Sequence, residues 1–339
     1  MKKQISILLI LILAGLSIFT SCSEEEFLTE EPMDEIYASN LFDDLNGFEG
    51  ALNSLYALTR QEFTEAIEEN GTNVPVVRNA IWTFGVDNGY SNAEFSATAP
   101  YNKYGTMLTP DDKMAYCVFR WLYRTINAAN MIIARAENPD VDWKGGTPEV
   151  NTANKNRIIA EAKFFRAWAY RHLTYTWGDV PLSLEEISGE TYRNDWERNS
   201  VADIREVMEQ DLLFAETYLP DAPSDPGKLA KAVAQHYLAE LYLATGDNAL
   251  ARTKALAVCS NPRYKLITER YGVNKLQAGS PFSDMFFDGN ILPSEGNTEA
   301  LWVFINAPDV PGGEEITMRR SWIYTGTGAS ALGIIPSYE

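Results

Sequence analysis

Apolar residues recur at helical spacing along most of this chain, and the breaks between periodic stretches predict where helices begin and end. Residues 41–68 place Phe48, Leu52, Leu55 and Leu58 on one side and stop before Asn70-Gly71. A second stripe starts at Ala115 and carries Val118, Leu122, Ile126, Ala129 and Ile133 inward, with Arg120, Arg124, Asn127 and Arg135 opposite. Residues 156–177 repeat the pattern through Ile158, Ala162, Phe165, Ala169 and Leu173, and Gly178 and Pro181 then prevent continuation. Ser200-Val201-Ala202-Asp203 reads as a capping box that opens a helix turning Ile204, Met208, Leu212, Ala215 and Leu219 inward before Pro220. Two more helices fill residues 228–262 and meet at Gly246-Asp247. There Leu238, Ala239, Tyr242, Ala251, Ala255 and Pro262 fall where a tetratricopeptide-type hairpin needs small or aromatic residues for close helix approach. The fold these stretches predict is mainly α, a repeat stack of antiparallel helices with long irregular loops and a few short strands. Residues 301–305, with Trp302, Val303 and Phe304, predict one of those strands.

Between residues 72 and 110 the periodicity is lost among Gly, Asn, Pro and Tyr, with Trp82, Tyr90, Tyr101 and Tyr104 scattered through the stretch. Ordered irregular regions of that length usually carry function.

The first residues follow a different pattern. Lys2 and Lys3 precede an almost unbroken apolar run over residues 5–18, and Phe19-Thr20-Ser21-Cys22 forms a small-residue cleavage site ending in cysteine. This is the pattern of a bacterial lipoprotein signal, with Phe19 where Leu is usual. Cleavage before Cys22 leaves a thiol and an amino group to carry acyl chains, more than stable anchoring requires. A membrane-spanning helix would need ~20 apolar residues, and this run is shorter. The expected organisation is a signal peptide over 1–21, a lipidated acidic tether over 22–31 and a helical domain over 32–339, with a further C-terminal part expected beyond Glu339.

The chain of 339 residues carries a formal charge of -19, and loss of Lys2 and Lys3 makes it more acidic still. A polyanion would be repelled and no Lys/Arg cluster offers a local exception, so nucleic acid is excluded as a partner. With 45% hydrophobic residues the chain can bury one large core. Cys117 and Cys259, the two cysteines besides Cys22, lie in helical patterns and read as buried free thiols. Of the two histidines, His172 and His236, each sits within a helical stripe, where packing is the ordinary role. No Ser/His/Asp, Cys/His or metal-ligand spacing stands out, so no catalytic residue, metal or cofactor is expected. Glycoside hydrolysis needs only two carboxylates roughly 5 to 10 Å apart, and 47 acidic residues leave that possibility open. Asp43-Asp44, Glu68-Glu69 and Glu185-Glu186 read as solvated charge.

Beyond these local patterns, three features occur in one order. They are the Cys22 lipobox; Arg157, Glu161-Ala162, Phe165-Arg166-Ala167, Tyr170, Leu173 and Trp177-Gly178-Asp179-Val180-Pro181-Leu182; and the downstream series Leu219-Pro220, Gly227-Lys228, Ala239-Glu240-Leu241-Tyr242-Leu243, Gly246-Asp247, Tyr264-Lys265-Leu266 and Asn297-Thr298-Glu299-Ala300-Leu301-Trp302. Together they resemble the SusD/RagB family of Bacteroidetes surface lipoproteins, over nearly the whole chain. Lys228 stands where Arg often follows Gly in that family. The resemblance implies a tetratricopeptide-type scaffold with glycan-binding loops, acting as a lid on a SusC-like TonB-dependent transporter and delivering oligosaccharide without chemistry. It also implies attachment to the outer membrane, and Ser23-Glu24-Glu25-Glu26 looks like the acidic signal that sends such lipoproteins to the cell surface. A surface glycosidase or peptidase subunit, and a helical adaptor that binds protein, are the alternatives.

A sugar site needs exposed aromatic rings for C–H faces and fixed amide, carboxylate or guanidinium partners for hydroxyls. Trp82, Asp87, Asn88 and Tyr90 supply both within one loop, and Arg320, Trp322 and Tyr324 do so near the C-terminus. The same tryptophans could instead anchor their loops to the core. Trp177, in the Trp-Gly-Asp turn, reads as structural.

Overall fold

The computed structural model describes residues 41–63, 65–67, 73–83, 86, 89–91, 99–105, 108–189, 191–223, 225–305 and 334–336, all within the unit Leu41–Glu339. Helix α1, Leu45–Arg60, opens where the Asp44 carboxylate accepts from the Gly47 amide at 3.1 Å. It ends well before residue 68. A 3-10 turn, Gln61–Phe63, leads into β1, Glu65–Ile67, which pairs antiparallel with β2, Asn73–Val77, setting Ala66 opposite Val74. The β-branched β2 offers ladder bonds that compete successfully with continuation of the helix. After a 3-10 helix over Arg78–Trp82 come β3, Gly89–Ser91, and the short α2, Ala99–Asn102.

Five helices then build the stack. Helix α3, Lys113–Arg135, is capped by Asp112, which accepts from the Ala115 amide at 2.8 Å. Helix α4, Pro148–Trp177, begins two turns earlier than the apolar stripe predicts, because Thr147 caps it and Pro148 sits at the first position, where a missing N–H costs nothing. Gly178 ends it with φ 72, a value that suits glycine alone. Helix α5, Val201–Tyr218, has Ser200 as its cap, but the predicted capping box is half formed: the Asp203 carboxylate accepts from the Ser200 hydroxyl at 2.7 Å. Helices α6, Lys231–Thr245, and α7, Asn248–Cys259, meet at Gly246 in the left-handed conformation, as the hairpin pattern requires. The small helix α8, Pro281–Asp284, a 3-10 turn, Pro293–Glu295, and β4, Ile334–Pro336, complete the described elements.

Helix α4 lies between α3 and α5, α1 packs on α3 and α4, and α6 bridges α5 and α7, giving the predicted mainly helical stack. Phe164, Phe165, Trp168 and Tyr170 are fully buried along α4, which is apolar on several sides as a central helix must be. Charge is buried with it. Arg166 grips Asp211 of α5 with two bonds of 2.7 and 2.9 Å and donates to Asn130 of α3 at 2.9 Å. Tyr56 of α1 donates to Glu161 at 2.7 Å and accepts from the Leu229 amide at 2.8 Å.

Some sequence expectations are corrected here. Helix α7 buries only Ala251, so Ala255 and Cys259 are exposed, since among the described residues no further helix covers its outer face. Cys117 is buried as expected. Residues 301–305 form no strand, because Trp302 turns onto α4, its ring edge-on to Phe164 at 5.7 Å, and donates to the Gly227 carbonyl at 3.2 Å. Asp44 is a helix cap paired with Lys144, and Glu186 pairs with Arg135, so neither is free solvated charge. Among the described residues no helix is long and apolar enough to cross a membrane.

Candidate functional site

The irregular region between α1 and α3 is held down at two ends, by Trp82 and by Tyr101, and the exposed tyrosines beside the second anchor form the candidate site. At one end Trp82 closes its 3-10 turn against the last turns of α4. Its indole N–H donates to the Thr176 hydroxyl at 2.8 Å, and that hydroxyl donates to the His172 carbonyl at 2.7 Å. The Trp82 ring lies 4.4 Å from the His172 imidazole, which in turn lies 4.5 Å from Trp168. Burial, with the nearby Arg171 charge, lowers the His172 pKa to about 3, so the imidazole between the two indoles is neutral. Trp82 is half-buried and packs against the core, so much of its ring area is committed to holding the loop.

At the other end Tyr101 of α2 is buried and donates to the Asp112 carboxylate at 2.8 Å, joining α2 to the cap of α3. Burial first, and Asp112 second, raise its phenol far above the ordinary range, so it remains a donor. Tyr104 stands edge-on to Tyr101 at 6.5 Å and is 51% exposed. Tyr116, on the first turns of α3, is 57% exposed. Two exposed tyrosine rings thus stand beside one anchored helix start, and exposed rings of this kind suit the apolar faces of a ligand.

Strand β3 pairs antiparallel with β4, placing Tyr90 opposite Ile335 and Gly89 opposite Pro336. Two stretches far apart in sequence therefore meet along their backbones. Asp87, Asn88, Arg320, Trp322, Tyr324 and Cys22 lie outside the described residues. Tyr116 escaped the sequence reading; its signal was an aromatic residue off the buried stripe that contains Val118 and Leu122. Among the described residues no group of three or more His, Cys, Asp or Glu could hold a metal ion.

The scaffold that carries these loops has relatives. The SusD-like family, described as starch-binding associating with outer membrane, matches residues 48–243, from α1 into α6. SusD-like protein P25 of Formosa agariphila is 24% identical over 303 residues, covering 87% of this chain and 51% of its own length. A crystal structure with xylogluco-oligosaccharide superposes with a TM-score of 0.60 at 23% identity, covering 82% of this chain and 50% of that one. A laminarin-binding SusD-like protein gives 0.55 at 22% identity, covering 66% and 47%. The chain spans about half the length of these relatives. With more than half of its residues matched, and its helical stack shared with solved SusD-like structures, the chain belongs to the SusD-like family.

Proposed function

We propose that this protein is a cell-surface lipoprotein that binds neutral oligosaccharides and passes them to a TonB-dependent outer-membrane transporter, without chemistry on the sugar. The observation that carries this reading is the family match over the helical scaffold, residues 48–243. Similar folds with xylogluco-oligosaccharide and with laminarin-binding activity support it. The exposed rings of Tyr104 and Tyr116 suit a pyranose face, and the sequence adds Asp87, Asn88 and Tyr90 from the same loop and Arg320, Trp322 and Tyr324 as further contacts. A hydrolytic role for His172 is disfavoured by its place between two indoles, where no substrate proton can reach it.

Electrophoresis through gels containing laminarin or xyloglucan tests the binding claim. Retarded migration supports it, and unretarded migration in every polysaccharide overturns it. The anchor is tested separately: Cys22→Ala should move the protein out of the membrane fraction, because the acyl chains supply the membrane affinity. Unchanged outer-membrane fractionation of that variant would contradict lipidation.

A further inference from the structure

On α4 the residues next to His172 and Thr176, which hold Trp82, are Arg171 and Tyr175, and they point away from the loop into the groove between α4, α5 and α6. Tyr175 is 55% exposed. The Arg171 guanidinium lies between two rings, 5.3 Å from the Tyr175 centroid and 5.6 Å from that of Tyr237. Its Nε donates to Glu240 Oε2 at 2.9 Å, which fixes its plane. Neither Nη atom has a protein partner among the described residues. Glu240 Oε1 is 3.8 Å from His236 Nε2, beyond hydrogen-bond distance, so this oxygen retains its capacity to accept. An aromatic face, two or more free donors and a free acceptor are thus held in one orientation before any ligand arrives.

Beneath Arg171 the cleft is only about 10 Å³, room for one water, so a ligand would lie across it. Arg205 and Leu241, which line this cleft, also line a neighbouring groove of about 560 Å³ between α5 and α6. That volume is in the range of small-ligand sites. Its walls carry Glu206, Glu209 and Asp247 against the single Arg205. Tyr242 is already committed there, donating to Glu209 at 2.7 Å. Such a groove repels anions and offers acceptors to neutral hydroxyls.

We infer that the Tyr175–Arg171–Glu240 platform and the adjoining α5–α6 groove form a second carbohydrate subsite, one that takes neutral oligosaccharides and disfavours uronic acid polymers. The inference rests on the carbohydrate-binding function proposed above and extends it to a separate face of α4. A pyranose would stack on the Tyr175 ring while adjacent hydroxyls accept from Arg171 Nη and donate to Glu240 Oε1, with further sugar units running into the groove.

The test is calorimetric titration of the full chain with laminarin, xyloglucan and galacturonate oligosaccharides, with a thermal melt on each variant. Tyr175→Ala should bind the neutral sugar about fivefold more weakly with an unchanged melt, and Tyr175→Trp should restore affinity. Arg171→Gln should weaken binding as well; if it fails to fold, the Tyr175 pair carries the test alone. Wild-type affinity in Tyr175→Ala, with the sugar still bound, overturns the subsite and leaves the loop face as the site. A wild-type chain that binds no sugar overturns the proposed function itself. Unchanged sugar affinity with loss of a protein partner in Tyr175→Ala would make the groove a protein interface, and that too overturns the inference.

Discussion

His172 makes the loop anchor sensitive to acid in a way that can be measured. Its ring sits between Trp82 and Trp168 at 4.4 and 4.5 Å, and burial lowers its pKa from 6.5 to about 3. Between those values the unfolded chain binds a proton that the folded chain refuses, so stability is intact above pH 6.5 and falls as pH drops toward 3. At about 1.4 kcal/mol per pH unit, the loss reaches roughly 2 kcal/mol at pH 5. Other groups titrate too: burial raises the Glu161 pKa, which acts in the opposite direction. The informative quantity is therefore the difference between wild type and His172→Phe, a variant that keeps a ring between the indoles and has no proton to take. Denaturant unfolding at pH 7.5, 6 and 5 should show wild type losing about 2 kcal/mol relative to the variant by pH 5. The chain has two histidines, so with His236→Gln the remaining imidazole proton resonance belongs to His172 and can be followed directly. A resonance that titrates near 6.5, or a stability gap independent of pH, would refute the reasoning.

Other substitutions test the remaining contacts. Trp82→Ala should cost about 2 to 4 kcal/mol in denaturant unfolding, since it removes a half-buried ring and the bond to Thr176, and should raise the His172 pKa as water reaches the ring. Arg166→Met leaves Asp211 buried with only Lys163 beside it and should cost about 3 to 5 kcal/mol, whereas adding Asp211→Leu should recover most of the loss in the same melts. Tyr104→Ala and Tyr116→Ala should each weaken sugar binding by about 1 kcal/mol and leave the thermal melt nearly unchanged, because exposed rings contribute little to the core.

The helical stack was legible because burial imposes a 3.6-residue period: Val118, Leu122, Ile126 and Ala129, and likewise Ile204, Met208, Leu212 and Ala215, are buried as their spacing demands. Gly178 and Gly246 marked the helix ends through the conformations only glycine adopts readily. The first turns of α4 were less legible because residues 148–155 carry no apolar stripe, although Thr147-Pro148 held the start signal. Ala255 and Cys259 misled because a helix at the edge of a stack keeps the pattern of one inside it. Composition could nominate residues for the site, but it could not give their geometry. Whether Trp82 faces water or core depends on Thr176 and His172, more than 80 residues away in sequence, and no local pattern encodes that contact. The same holds for β3 and β4, each three residues long, whose pairing joins distant parts of the chain.

The central claim is that this chain binds sugar and leaves it intact. Its most direct test is calorimetric titration of the purified chain with neutral polysaccharides, followed by mass analysis of the recovered ligand. Saturable binding to at least one glycan, recovered at its original mass, is the predicted result; a shortened product, or no binding to any glycan offered, would contradict it.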